Sequence, residues 1–167
     1  MCAGRSAAAV VAAALVVLVV QAASAHESGS FQESRSYRHG YISIEHGGVT
    51  YTGGAATGTK TIIQSSGGPF VVGASSVTQC LAFSTVTGDG LRLEAPCVDT
   101  DPSGDVLYAY AFREQGSLAA GGGGDGWWEL RGGTGKYEGI TGNCTYRTEY
   151  LDGSLLVSLT ACDWSRS

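Results

Sequence analysis

Val77-Thr78-Gln79-Cys80-Leu81-Ala82-Phe83-Ser84-Thr85-Val86 and Leu91-Arg92-Leu93-Glu94-Ala95-Pro96-Cys97 flank Thr87-Gly88-Asp89-Gly90. Both flanks alternate between two faces, as half-buried strands do. With Gly88-Asp89 as a two-residue loop, Cys80 stands opposite Cys97, Ala82 opposite Ala95, Ser84 opposite Leu93 and Val86 opposite Leu91. Leu91, Leu93, Ala95 and Cys97 then share a face, while Arg92 and Glu94 take the other. A slip of one residue would reverse both faces and separate the cysteines. The hydrophobic pattern and the cysteine pairing therefore select one register. It predicts a Cys80–Cys97 disulfide on the inner face of a curved antiparallel sheet.

The same reading extends along the chain. Tyr41–Ile44 and Val49–Tyr51 flank the turn signal His46-Gly47-Gly48. Thr57–Gln64 reads as strand, Ser65–Pro69 as loop and Phe70–Val72 as a short strand. Val106–Arg113 reads as strand, with Val106, Tyr108, Tyr110 and Phe112 on one face. A glycine- and alanine-rich loop over 116–126 leads into Trp127-Trp128, whose side chains point to opposite faces of a strand. Asn143–Leu151 and Ser154–Trp164 flank Asp152-Gly153. A two-residue turn there pairs Tyr146 with Leu159, Thr148 with Val157 and Tyr150 with Leu155, and sets Cys144 against Ala161. One extra residue at the turn would instead bring Cys144 opposite Cys162. Of the three ways to join four cysteines, 80–97 with 144–162 is preferred.

Gly132-Gly133-Thr134-Gly135-Lys136-Tyr137-Glu138-Gly139-Ile140-Thr141-Gly142 invites a phosphate-loop reading and fails it. Leu130 occupies the place of the first required glycine, and Tyr137 that of the metal-binding hydroxyl. Glu138 stands where a dinucleotide fingerprint needs its third glycine. The stretch reads instead as a bend in a curved sheet, with Tyr137 and Ile140 inward and Lys136 and Glu138 in water. It resembles the glycine signature of the allene oxide cyclase-like barrel superfamily, which includes the dirigent proteins. The resemblance spans Thr78 to Trp164 in element order and is specific only over these eleven residues. It implies an all-β fold, a single antiparallel β-barrel of about eight strands of the calycin-like type. It also implies an apolar cavity and a homo-oligomer, and permits isomerase or cyclase chemistry. No cyclase active-site residue can be matched here.

Residues 1–25 read as a signal peptide. Arg5 gives a positive start, Ala7–Val20 is apolar, and Ala23-Ser24-Ala25 fits a cleavage site. The apolar run is shorter than the ~20 residues of a membrane span, so no span is expected after cleavage. The address is secreted or periplasmic, where paired cysteines form disulfides. Removing 25 of 167 residues leaves 142, one domain's worth, and takes the formal charge from −5 to −6. An acidic chain without a Lys/Arg cluster argues against nucleic acid as a partner. Residues 26–40 read as a flexible polar lead-in with a strand near Phe31–Tyr37, and 41–167 as the barrel.

The ligand-wall candidates are Tyr108, Tyr110, Trp127, Trp128, Tyr137, Tyr146 and Tyr150, apolar bodies with polar handles. Asp99, Asp101, Ser103 and Asp105 resemble half a calcium loop, but Tyr110 stands at its twelfth position. Asp-Pro-Ser-Gly turn chemistry is the preferred reading there. A copper brace on an N-terminal His26 would need His39 or His46 as a second ligand, and a solvated tail is preferred. No cofactor is assigned. Asn143-Cys144-Thr145 is a formal glycosylation sequon. Glu94, Glu129 and Glu149 face outward in these registers, and nothing resembles a catalytic triad. The function expected is binding of a small hydrophobic ligand within the barrel. Catalysis on a hydrophobic substrate and an oligomeric envelope scaffold are the alternatives.

Overall fold

A computed structural model describes residues 27–167. Residues 1–25, read above as a signal peptide, and His26 lie outside the described residues. Eight strands follow in chain order: β1 (Glu27–His46), β2 (Val49–Ser65), β3 (Ser75–Thr87), β4 (Gly90–Thr100), β5 (Val106–Arg113), β6 (Gly123–Gly133), β7 (Ile140–Tyr150) and β8 (Leu155–Arg166). Each is antiparallel to the next, and β8 pairs with β1 to close the barrel. No helix among the described residues is long and apolar enough to cross a membrane.

The β3–β4 hairpin has the register read from its sequence. Cys80 pairs with Cys97, Ser84 with Leu93 and Val86 with Leu91. Gly47 and Gly48, both at positive φ, turn β1 into β2. At the last hairpin the turn carries one extra residue. Cys144 therefore faces Cys162, Tyr146 faces Thr160, Thr148 faces Ser158 and Tyr150 faces Leu156. The Leu159, Val157 and Leu155 pairings of a two-residue turn are thus replaced. Both disulfides, Cys80–Cys97 and Cys144–Cys162, join directly opposed residues of neighbouring strands.

Residues 27–40 are strand and not a flexible lead-in. Phe31, Glu33, Arg35 and Tyr37 point inward, and the residues between them are exposed. The period of two is perfect, but its inner face carries charge. Phe70 is not in a strand. It lies in the β2–β3 loop and plugs one end of the barrel, stacking on Phe31 at 3.9 Å and packing on Tyr137 and Trp164.

The glycine stretch is the expected corner. A single 3-10 turn (Gly135–Tyr137) joins β6 to β7, with Tyr137 and Ile140 buried and Glu138 exposed. Gly135 has φ +54°, and a Cβ there would come within 2.0 Å of an Asp105 carboxylate oxygen. Glycine is required on both counts. Thr134 ties the corner to β5, its Oγ1 accepting from Val106 N at 2.9 Å. Leu107 and Ile140 are wholly excluded from water, each contributing ~1.5–3 kcal/mol through burial.

Candidate functional site: a polar layer beneath a small cavity

The barrel interior is built in layers. The plugged end holds Phe31, Phe70, Tyr137 and Trp164. Next comes a charged layer. Glu33 and Arg35 enter it from β1, Lys60 from β2 and Asp99 from β4, each at most 2% exposed. Arg35 donates from Nη2 to Asp99 at 3.0 Å and from Nε to Glu33. Lys60 donates to Asp99 at 2.7 Å and lies 3.6 Å from Glu33. Arg35 Nη1 also donates to the Tyr37 hydroxyl at 3.0 Å, and the guanidinium lies 4.5 Å from the Trp128 ring centroid.

Two cations and two anions give a neutral set, which is how ionised groups persist out of water. Burial pushes the Asp99 carboxyl up, but Arg35 and Lys60 pull it further down, to about 2. For Arg35 and Lys60, burial disfavours the cation, and the carboxylates more than reverse this.

Above this layer lies a cavity of about 60 Å³. Tyr37 and Trp128 line it on the side of the charged layer, and Tyr146, Tyr150 and Tyr41 line it toward the far end. Its walls include Ala56, Ala82, Ala95 and Ala111. These short side chains leave space where larger ones would fill an eight-stranded barrel. Gly126 belongs to the same design, since a Cβ there would meet the Tyr146 ring at 2.5 Å. The Tyr146 hydroxyl donates to the Phe112 carbonyl at 3.2 Å. Burial pushes the Tyr41, Tyr146 and Tyr150 phenols up, and the Arg113 charge partly opposes this at each.

Arg113, the last inward residue of β5, is 1% exposed and lines the cavity. Among the described residues its Nε and Nη1 have no hydrogen-bond partner, and Nη2 makes only a long 3.5 Å contact to the Ser117 carbonyl. Its guanidinium lies 5.5 Å from the Tyr150 ring centroid. No ion pair among the described residues includes it. Trp128 Nε1 and Ser158 Oγ, on the same cavity, are also buried without partners.

The sequence candidates divide. Trp128, Tyr146 and Tyr150 come together on the cavity. Tyr137 is inside, but at the plugged end. Tyr108, Tyr110 and Trp127 are on the outer surface and line no part of the cavity. There Tyr110 donates to Glu94 at 3.1 Å, and Trp127 stacks on Phe112 at 5.5 Å. Leu107, Ala109, Ala111 and Arg113 take the inner face of β5 in their place.

The Asp99–Asp105 segment separates in the same way. Asp99 points into the barrel. Asp101 closes a turn, its Oδ1 accepting from Ser103 N at 2.8 Å, Ser103 Oγ at 2.6 Å and Asp105 N at 3.1 Å. Lys136 pairs with its other oxygen. Burial raises the Asp101 carboxyl, but these partners bring it to about 2. Its acceptors are committed to the turn. Among the described residues no group of three or more His, Cys, Asp or Glu side chains could hold a metal ion. His39 stacks on Tyr41 at 4.2 Å, and burial lowers its pKa.

The residues missed from the sequence are Glu33, Arg35, Lys60 and Arg113. Period-two placement beside inward neighbours is the signal that finds them. Compared with protein-family models, curated proteins and solved structures, the chain matches none.

Proposed function

We propose that this chain is an exported binding protein of the allene oxide cyclase-like type that holds a small ligand with an apolar body inside its barrel. One observation carries the reading. The interior is densely filled at one end and left open at the other, where four alanines stand behind aromatic walls. The volume limits the ligand to a few heavy atoms, since an apolar cavity of about 150 Å³ is what admits benzene. The signal-like N-terminus and two disulfides support export to an oxidising compartment.

Catalysis is the second reading, favoured by two shielded carboxylates near Tyr37. Asp99 is a poor general base at about 2. Glu33 and Asp99 are both engaged by Arg35 and Lys60 and do not line the cavity. Binding therefore fits better than proton transfer.

The test is titration of the mature protein with 1-propanol, followed by NMR of the alanine methyls. Saturable shifts at Ala95 and Ala111, abolished by Ala111→Leu, are expected. Shifts spread over the surface, or unchanged in Ala111→Leu, would remove the reading.

A further inference from the structure

We propose that Arg113 makes the cavity a site for a small carboxylate, whose anionic end pairs with its guanidinium and whose apolar end lies among the alanines. This rests on the binding reading above and names the ligand class.

The charged layer shows how this barrel treats a buried cation. Arg35 and Lys60 each have two carboxylates within ion-pair distance. Arg113 is equally buried and has none among the described residues. An uncompensated charge away from water is costly, and cores seldom keep one without a partner. Two of its donor nitrogens are unused. A guanidinium presents its donors in a planar fork that suits a carboxylate. The cavity is where a partner would sit, because Arg113 lines it and none of the described residues on it is an anion.

The surroundings specify the rest of the ligand. Trp128 Nε1 and Ser158 Oγ supply further unpaired polar atoms on the cavity. The Tyr150 ring, within reach of the guanidinium, offers its face as a partial substitute for an anion. Ala82, Ala95, Ala111 and Leu93 give the cavity an aliphatic stretch of wall, which suits a short hydrocarbon. A small monocarboxylate satisfies both ends. A dianion would exceed the single positive charge, and a neutral alcohol would leave it unpaired.

The experiment is calorimetric titration of the full mature protein with propionate and with its neutral isostere propionamide, at fixed ionic strength. Propionate is expected to bind about tenfold or more tightly, the range for a charge-assisted hydrogen bond. Arg113→Met should abolish that preference while still binding propionamide. Its Tm without ligand should be equal to or above that of the parent, because a partnerless charge has been removed. Arg113→Lys keeps the charge without the fork and should show an intermediate preference, which provides a second reading if Arg113→Met fails to fold.

Equal binding of the two probes by the parent would overturn the proposal, as would a propionate preference surviving in Arg113→Met. If 1-propanol binds in the cavity but propionate gains nothing, only the carboxylate proposal falls. If none of the three binds, the binding reading falls with it.

Discussion

Lys60 donates to Asp99 at 2.7 Å inside the barrel, joining β2 to β4 across the intervening strand β3. With Glu33 and Arg35 the pair forms a closed electrostatic unit. Asp99→Ala should destabilise the protein by about 3–5 kcal/mol, the cost of leaving buried cations underpaired. Replacing Lys60 and Asp99 together by Met and Leu should cost clearly less than the two single changes summed. Urea unfolding of the four proteins measures the difference.

Acid should act through Asp99 and Asp101. Both carboxyls sit at about 2 in the folded protein, below the ~3.9 of an unfolded aspartate. A depressed folded value contributes stability that is complete above the unfolded value and lost as pH falls through the folded one. Tm should hold down to about pH 4 and fall steeply between about pH 4 and pH 2. Asp99→Asn should flatten that fall while lowering Tm at neutral pH.

Base should act through Lys60 and the inner tyrosines, whose folded values are raised. Stability from a raised group is complete below its unfolded value and is lost as pH climbs toward the folded one. The loss should begin above about pH 10. Ultraviolet titration should show Tyr37, Tyr41, Tyr146 and Tyr150 ionising together with unfolding, detected by far-ultraviolet circular dichroism in the same sample.

Each disulfide closes a short loop, with cysteines 17 and 18 positions apart. Replacing either pair by alanine should cost about 3 kcal/mol by loop entropy. The strand registers are held by other contacts as well, so each variant should still fold. Denaturant midpoints, together with the mass difference on alkylation before and after reduction, test both the pairing and the cost.

Gly126 lets β6 pass close to Tyr146. Its alanine variant would push a methyl to 2.4 Å from the Phe112 carbonyl oxygen. A loss of about 1–3 kcal/mol is expected from this overpacking. The Trp128 and Tyr146 near-ultraviolet bands should change with it, since the two rings lie 5.6 Å apart.

How much of this was legible in the sequence differs from strand to strand. The β3–β4 register could be read because hydrophobic alternation and cysteine spacing fixed it twice. At β7–β8 the same two signals disagreed by one residue, and the longer turn resolves them. Strand β1 was hidden because its inner face holds Glu33 and Arg35, which a hydrophobicity pattern scores as outside. Asp99 was absorbed into a turn signal that belongs to Asp101. On β5 the larger side chains drew the reading to the wrong face. The bore of an eight-stranded barrel is narrow, so Ala109 and Ala111 go in while Tyr108 and Phe112 go out. Arg113 continues that inner series after Leu107, Ala109 and Ala111. Nothing in the local sequence shows that its charge lacks an anionic partner among the described residues, because that depends on seven other strands.

The seam between β1 and β8 sets the order in which this protein can mature. Glu27 pairs with Arg166 across 139 positions of chain, the kind of contact that loop entropy defers. Hairpins β1–β2, β3–β4 and β7–β8 form from neighbours. The last suture waits for both ends of the chain to be present. Until then the sheet has two unpaired edges, one on β1 and, once made, one on β8. During that interval the edges are open to other strands. Arg38 and Asp163, exposed on these two strands, are charges of the kind that discourage such pairing.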